Sequence, residues 1–200
     1  MKYNSKQWTM LGVSTFIGLF AGIGSAFAYD KAHPGGFQPY PATVNPWVSF
    51  AAESITSFKN AAATWNNARA GTLINIGSTT SNTTYPNDND LNQVTKGNRG
   101  TNEYLMQTKY TSTGLRWTGL WYANTIYEAD IDINGSYAWH TGGAADFYDV
   151  QGVFTHELGH LLGLGHSDVA TATMWPTIGK GNTSWRTLDE DDISGIVDIY

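Results

Sequence analysis

The sequence contains no cysteine among its 200 residues. Disulfide bonds and metal sites built from thiolates are therefore excluded. Basic residues are also scarce, since 11 lysines and arginines face 17 aspartates and glutamates, for a net charge of −6. This balance argues against nucleic acid as a partner and suits a soluble, secreted protein.

No uninterrupted apolar run reaches the length of a typical membrane-spanning helix. The apolar run at residues 10–20 is short, and glycines interrupt the stretch around it, which argues against the alternative of a membrane anchor. Two lysines precede this run, and residues 26–28 supply an A-x-A cleavage site. Residues 1–28 therefore have the pattern of a secretory signal peptide. We expect cleavage after Ala28, an extracellular location and no stable association of the remaining chain with membranes.

The remaining residues, 29–200, are enough for one domain with its own core. The spacing of apolar residues predicts an amphipathic helix over 54–68, and a second helix whose first N–H groups are capped by Asp149. Predicted strands, rich in Tyr, Trp, Thr and Ile, cover residues 72–76, 104–110, 115–122 and 125–134. We expect an irregular lead-in at 32–46 and a long surface loop at 77–101. These elements predict an α+β fold.

Apolar and acidic side chains alternate along the last predicted strand. Three apolar residues, Ala129, Ile131 and Ile133, alternate with three polar ones, Asp130, Asp132 and Asn134. We interpret the acidic side as a solvent-exposed face, with a structural cation as the alternative. Residues 87–90, Asn-Asp-Asn-Asp, lack the glycine and the terminal glutamate of an EF-hand loop. A structural Ca²⁺ thus stays an open alternative without a located site.

Residues 156–166, HELGHLLGLGH, contain three of the five histidines. Residues four apart lie on the same face of an α-helix, so His156 and His160 would present their imidazoles side by side. Glu157 lies about 100° round the helix, from where it can reach a metal-bound water as a general base. Two imidazoles and a carboxylate in this arrangement predict a zinc site.

A catalytic zinc usually takes three protein ligands and leaves a fourth position for water. His166 can supply the third ligand only if the helix stops, because a continued helix would place it about 15 Å along the axis from His156. Gly163 and Gly165 provide the means, since glycine tolerates the left-handed conformation that ends helices. We therefore predict one Zn²⁺ held by these three histidines.

The extended spacing H-E-x-x-H-x-x-G-x-x-H is similar to the metzincin signature, and Met174 before Pro176 resembles the metzincin Met-turn. Ser167 directly after the third histidine, and the absence of a tyrosine two places after Met174, resemble the matrixin branch, the matrix metalloproteinase-like enzymes. Residues 188–196 are similar to the closing helix of matrixins. Thr187 and Glu190 form a predicted capping box at its start. The likeness extends to the secreted bacterial members of that branch.

This resemblance implies a metzincin-like catalytic domain, with a small mixed, twisted sheet of about four to five strands packed on two long helices. It also implies a zinc cleft, a Met-turn whose Met174 packs beneath the histidines without binding the metal, and a C-terminal helix with an aspartate that braces this turn. The implied activity is that of a zinc metalloendopeptidase, which hydrolyses peptide bonds through a zinc-bound water with Glu157 as general base. The implied partner is a protein or peptide substrate, and we expect a monomer. Residues 125–134 would form the edge strand that pairs with an extended substrate.

Several matrixin features are missing. Without cysteine there can be no cysteine-switch propeptide, and only His33 and His140 remain for the second, structural zinc of vertebrate members. We therefore predict neither feature, nor a haemopexin-like domain. Ile178 stands where the family has a tyrosine in the wall of the S1′ pocket, so substrate preference cannot be transferred.

Two other functions are compatible with the motif. One is a binding or toxin-like module that keeps the zinc but cleaves a single partner or none. The other is a structural zinc protein, in which His140 or Asp168 would close the fourth position.

Overall fold

The computed structural model describes residues 29–117 and 122–200, so the predicted signal peptide lies outside the described residues. In chain order the strands are β1 (Tyr29–Lys31), β2 (Ala42–Asn45), β3 (Ile74–Ile76), β4 (Asn92–Gly97), β5 (Met106–Trp117), β6 (Tyr122–Asn134), β7 (Trp139–His140), β8 (Tyr148–Asp149) and β9 (Leu164–Ser167). The helices are α1 (Ala52–Asn66), α2 (Val150–Leu161), a 3₁₀ turn (Ser184–Arg186) and α3 (Glu190–Ile199). None of the helices in these two ranges has the length and apolarity needed to cross a bilayer.

Five strands form the main sheet, in the order β3-β2-β4-β6-β5. All neighbours are parallel except β5, which runs antiparallel to β6. The predicted α+β class and the mixed sheet on two helices are thus confirmed. The prediction that residues 125–134 form the edge strand is wrong, because β6 lies between β4 and β5. The strand at this edge of the sheet is β5, which continues from the predicted strand 104–110 into the first residues of the predicted strand 115–122 and is irregular near Tyr110.

Two strands of the main sheet were not predicted from the sequence. β4 lies inside the predicted surface loop 77–101, and β2 lies inside the lead-in 32–46. β4 reads NQVTKG, with a single large apolar residue, yet its first four residues are buried. Its polar side chains are buried because neighbouring groups offer hydrogen bonds, as Asn92 shows by donating to the carbonyl of Thr43 at 3.0 Å.

The acidic side of β6 is buried, so its interpretation as a solvent-exposed face is wrong. Asp130 and Asp132 have no exposed surface. Asp132 pairs with the Arg99 guanidinium at 2.8 Å, and Asp130 accepts hydrogen bonds from the backbone N–H of Asn87 at 2.7 Å and Gln93 at 3.0 Å. Buried carboxylates are stable only with such partners. Burial still raises the pKa of Asp130 to about 6.

Helices α1 and α2 pack against each other to form the core beside the sheet. The rings of Phe58 and Phe154 meet edge to face with centroids 5.1 Å apart. The indole N–H of Trp65 donates to the carbonyl of Thr155 at 2.7 Å. Each large apolar side chain buried in this way contributes roughly 1.5–3 kcal/mol to folding. The apolar stripe of α2 is buried throughout, at Val150, Val153, Phe154, Leu158 and Leu161.

Helix α3 begins two residues later than predicted. Its N-cap is Asp189, whose carboxylate accepts from the N–H of Asp191 at 3.0 Å. Asp192 completes the capping box by accepting from the N–H of Asp189 at 2.8 Å. The predicted box of Thr187 and Glu190 is wrong, because Thr187 ends the preceding 3₁₀ turn.

Candidate metal centre

Helix α2 is fixed at its start by Asp149, as predicted. The Asp149 carboxylate accepts from the N–H of Gly152 at 2.7 Å, which satisfies one of the free donors in the first turn. The guanidinium of Arg186 binds the same carboxylate, with Nε 2.9 Å from Oδ2. The helix that carries two of the predicted ligands is therefore anchored at both its buried face and its N-terminus.

The three predicted histidine ligands come together. One ring nitrogen from each of His156, His160 and His166 lies within 4.8 Å of the other two. The Nε2 atoms of His156 and His160 are 3.1 Å apart. In residues 29–117 and 122–200, no other group of three histidines or carboxylates has this geometry. Neither His140 nor Asp168 joins the group, so the closed shell that a structural zinc needs is not formed by these residues.

The third histidine reaches the group through a turn at Gly163. Helix α2 ends at Leu161, and Gly163 has φ +107, a left-handed conformation that favours glycine. The chain then enters β9, which pairs antiparallel with β1 and carries His166 back to the other two ligands. Gly165 does not make the turn. It lies in β9, where an added Cβ would be 2.8 Å from a carboxylate oxygen of Asp30.

The hydrogen bonds of two histidines fix which ring nitrogen is free. Nδ1 of His156 lies 2.7 Å from the carbonyl of Thr173, and Nδ1 of His160 lies 2.8 Å from the carbonyl of Leu164. A carbonyl oxygen only accepts, so each Nδ1 must carry the proton and donate. Each Nε2 then offers a lone pair toward the centre of the group, which is the arrangement of zinc-binding histidines. Burial lowers the pKa of all three histidines, which keeps them neutral. The donor set therefore fits Zn²⁺.

Glu157 lies beside the histidines, and its side chain is 5% exposed. Its Oε2 accepts a hydrogen bond of 2.7 Å from the hydroxyl of Thr108 on β5. Burial raises the pKa of Glu157 to about 7, while the bond from Thr108 acts in the opposite direction. A carboxylate whose pKa lies close to neutrality can both take up and release a proton, as a general base must.

Met174 lies against the side of α2. Its sulfur sits so close to Gly159 that an added Cβ there would overlap it. The N–H groups of Thr173 and Met174 donate to the Asp192 carboxylate of α3 at 2.7 and 3.0 Å. The carbonyl of the same Thr173 binds the imidazole of His156. Asp192 therefore fixes the Thr173–Met174 segment, and this segment in turn fixes the imidazole of His156.

The model of the matrixin family matches residues 116–200. Human matrilysin is 52% identical over 46 residues, which cover 23% of this chain and 17% of the relative. Metalloendoproteinase 5-MMP of Arabidopsis thaliana is 50% identical over 52 residues, 26% of this chain and 14% of the relative. Karilysin of Tannerella forsythia is 35% identical over 74 residues, 37% of this chain and 15% of the relative.

These matches support a matrixin-like metzincin. The aligned part spans less than a fifth of the length of these relatives. The match starts near the end of β5, so it includes the histidines of this matrixin domain and the Met174 turn but leaves out most of the cleft wall formed by β5.

The cleft that contains the three histidines has a volume of about 630 Å³. Its lining includes residues 103–108 of the edge-strand region, the three histidines with Glu157, and residues 176–178 after the Met174 turn. The candidate ligands therefore share one cleft with the edge strand and with the segment that contains Pro176 and Ile178.

Two residues of this cleft were missed by the sequence analysis. Trp185 stacks on the imidazole of His156, with centroids 4.4 Å apart and planes 12° from parallel. Thr108 donates to Glu157 across 49 positions of sequence. Both contacts depend on how distant segments pack, and no local pattern in the sequence marks either residue.

Proposed function

We propose that this chain is a zinc-dependent metalloendopeptidase that hydrolyses internal peptide bonds of protein or peptide substrates. The observation that carries the proposal is the convergence of three neutral imidazoles beside a buried glutamate at the base of an open cleft. The matrixin relatives support the same activity, since two of them are named as metalloendoproteinase and matrilysin.

His156, His160 and His166 would hold the zinc. When bound, Zn²⁺ supplies a Lewis acid that lowers the pKa of water and polarises a carbonyl group. The chain's own residues carry out the proton transfer. Glu157 takes it from the attacking water and passes it to the departing amine. Thr108 holds the Glu157 carboxylate by its hydroxyl, which limits the rotation of the base during this transfer.

The substrate would bind in extended form along β5. This strand has β6 on one side, and no described strand pairs with its other side. Its outward N–H and C=O groups can therefore pair with a peptide in the manner of an added strand. Residues 103–108 of this region line the cleft together with the three histidines, which supports binding of the peptide backbone above the histidines.

We further propose that the chain is secreted after cleavage behind Ala28, and that it acts as a monomer with one catalytic zinc. The pattern of residues 1–28 supports secretion. The net charge of −6 supports the absence of a nucleic-acid partner.

The proposal is tested by casein or gelatin cleavage with zinc added and with zinc removed by a chelator. Glu157→Ala and Glu157→Gln should bind zinc like the wild type and lose cleavage by a factor of roughly 10² or more. A wild-type protein that binds zinc and cleaves no substrate would contradict the peptidase function and favour a binding module. Full activity of both variants would show that Glu157 is not the base.

A further inference from the structure

The end of the β5–β6 hairpin exposes several large apolar side chains. Leu115 is 70% exposed, Trp117 is 55% exposed and Tyr122 is 65% exposed. Trp117 and Tyr122 are directly opposed on the two strands, with ring centroids 5.2 Å apart. Exposed aromatic groups that touch one another in this way mark interaction surfaces more often than isolated apolar residues do.

These side chains lie on one face of the hairpin. Leu115 and Trp117 are two residues apart and Tyr122 is opposite Trp117, so the three share a face. Ala123 and Thr125 point to the other face and are buried. Beyond β6, the N–H of Gly35 donates to the carbonyl of Asn124 at 2.8 Å, which ties the strand to a neighbouring segment. The exposed face therefore belongs to a strand whose other face is buried and whose backbone is held by a hydrogen bond from a neighbouring segment.

The charge of the hairpin differs in sign from that of the whole chain. Residues 106–127 contain Lys109 and Arg116 and no aspartate or glutamate, whereas the chain has a net charge of −6. Arg116 is exposed between Leu115 and Trp117. Strand alternation puts Arg116, which is opposite Ala123, on the other face from Leu115 and Trp117. The exposed end of the hairpin therefore combines an apolar, aromatic face with a cation at its side, and it would attract an anionic surface.

We propose that the hairpin tip, defined as Leu115, Arg116, Trp117 and Tyr122, docks reversibly on the surface of a bilayer that carries anionic headgroups. Trp and Tyr prefer the boundary between water and hydrocarbon, because each has an apolar ring and a polar group. The Arg116 guanidinium can bind a headgroup phosphate with two parallel hydrogen bonds. Such a contact is weaker than the stable membrane association that the sequence argues against.

The area of the tip favours a lipid surface over a second protein. Its three apolar side chains expose roughly 400 Å². A stable interface between two proteins buries about 800 Å² on each partner. Shallow insertion into a bilayer has no such minimum, since its strength grows with the apolar area and with the charge attracted to anionic lipids.

The position of the tip keeps the cleft accessible. Tyr110 lines the cleft, and Trp117 lies seven residues further along β5. At about 3.3 Å per residue, the strand places the tip roughly 20 Å from the cleft wall. The cleft can therefore remain in water while the tip contacts the bilayer, and the docking proposal does not depend on the proposed peptidase activity.

The absence of cysteine permits a direct test with the full chain. Leu115→Cys provides one site for an environment-sensitive fluorophore, and Val197→Cys on α3 provides a matched control at a residue that is 55% exposed. Both proteins carry the same residues 1–28, so a difference between the labels reports on the hairpin tip. The vesicles are made of phosphatidylcholine alone or with phosphatidylglycerol.

We expect the label at 115, but not at 197, to shift to shorter emission wavelength with anionic vesicles and to be quenched by a quencher attached to the lipid. Arg116→Glu should lower the partition coefficient roughly tenfold, and Trp117→Ser with Tyr122→Ser should abolish the shift. Circular dichroism and zinc content should match the wild type, which separates loss of docking from loss of folding.

An unchanged label at 115, equal shifts at both positions, or a shift that is insensitive to Arg116→Glu and to the aromatic substitutions would overturn the proposal. Sedimentation equilibrium without lipid gives a further check. A dimer that dissociates on Trp117→Ser would assign the tip to a second copy of the chain instead of a bilayer.

Discussion

The hydroxyl of Thr108 donates a 2.7 Å hydrogen bond to Oε2 of Glu157. The edge strand that would pair with a substrate thereby also holds the proposed general base. Substrate binding and proton transfer share one strand, so a change at Thr108 should affect the chemical step without removing any zinc ligand.

Thr108→Val removes the hydroxyl and keeps the shape of the side chain. We expect kcat to fall by a factor of roughly 10, because a hydrogen bond to a charged group is worth about 1.5–3 kcal/mol and part of it is recovered through water. Since the bond lowers the pKa of Glu157, its loss should move the acidic limb of the pH–rate profile to higher pH. KM and zinc content should stay constant. Thr108→Ser should restore both kcat and the profile, and a Ser variant as impaired as Val would contradict the hydrogen-bond explanation.

Gly163→Val should prevent the turn that returns His166. Its φ of +107 is unfavourable for a β-branched residue, and an added Cβ would lie 2.7 Å from the carbonyl oxygen of His33. We expect a loss of stability of about 1–3 kcal/mol or more, and zinc bound at well below one equivalent in dialysis with metal analysis. Gly179→Ala is the matched control, because no heavy atom lies within 4 Å of a Cβ built there. Normal zinc content in Gly163→Val would show that the ligand geometry tolerates another turn.

Asp192→Ala should weaken both the fold and the metal centre. The substitution leaves the buried N–H groups of Thr173 and Met174 without their acceptor, at a cost of about 1–3 kcal/mol for each unsatisfied group. Thermal unfolding of the zinc-free protein measures the first effect, and a competitive chelator titration measures the fall in zinc affinity. Asp88→Ala, at an exposed position, should change stability by less than about 0.5 kcal/mol. Unchanged zinc affinity in Asp192→Ala would separate the Met174 turn from the metal centre.

The buried Asp130 should make the folded state more favourable as the pH falls. A salt-bridged carboxylate has the opposite effect, because it loses its stabilising charge in acid. Its pKa is raised to about 6 in the folded state, above the value of about 3.9 in an unfolded chain. The folded state thus binds this proton more tightly, and the free energy of unfolding gains up to about 2 kcal/mol from this group as the pH falls from 7 to 4. Other groups titrate in the same range, so the comparison is with Asp130→Asn. Urea unfolding at several pH values should show the wild type gaining stability relative to the variant as the pH falls, and a pH-independent difference would contradict the raised pKa.

The metal centre could be predicted because its geometry is local. Residues four apart lie on the same face of any α-helix, as His156 and His160 do, and the nearby glycines, Gly163 among them, mark where the chain could turn to return His166. By contrast, Thr108 and Trp185 reach the cleft through the packing of β5 and the 3₁₀ turn on α2, and no periodicity encodes such contacts.

The strands were harder to predict where polar residues are buried. β4 contains Asn, Gln and Thr side chains, and β6 carries Asp130 and Asp132 into the interior. The rule that polar residues face water fails at these positions, because the 87–99 segment supplies N–H groups and a guanidinium as partners. Sequence patterns show that a side chain is polar, but they do not show whether a distant segment will neutralise it.

The contact between Asp192 and the Thr173–Met174 backbone links the packing of the C-terminal helix to the binding of the metal. His156 binds the carbonyl of Thr173, and the adjoining N–H groups bind α3 through Asp192. Zinc binding and the packing of α3 both depend on the position of the Thr173 segment. Zinc bound to His156 should therefore also stabilise α3 against detachment. By the same reciprocity, a ligand or protease that loosens the last helix should lower the affinity of the three histidines for zinc without touching them.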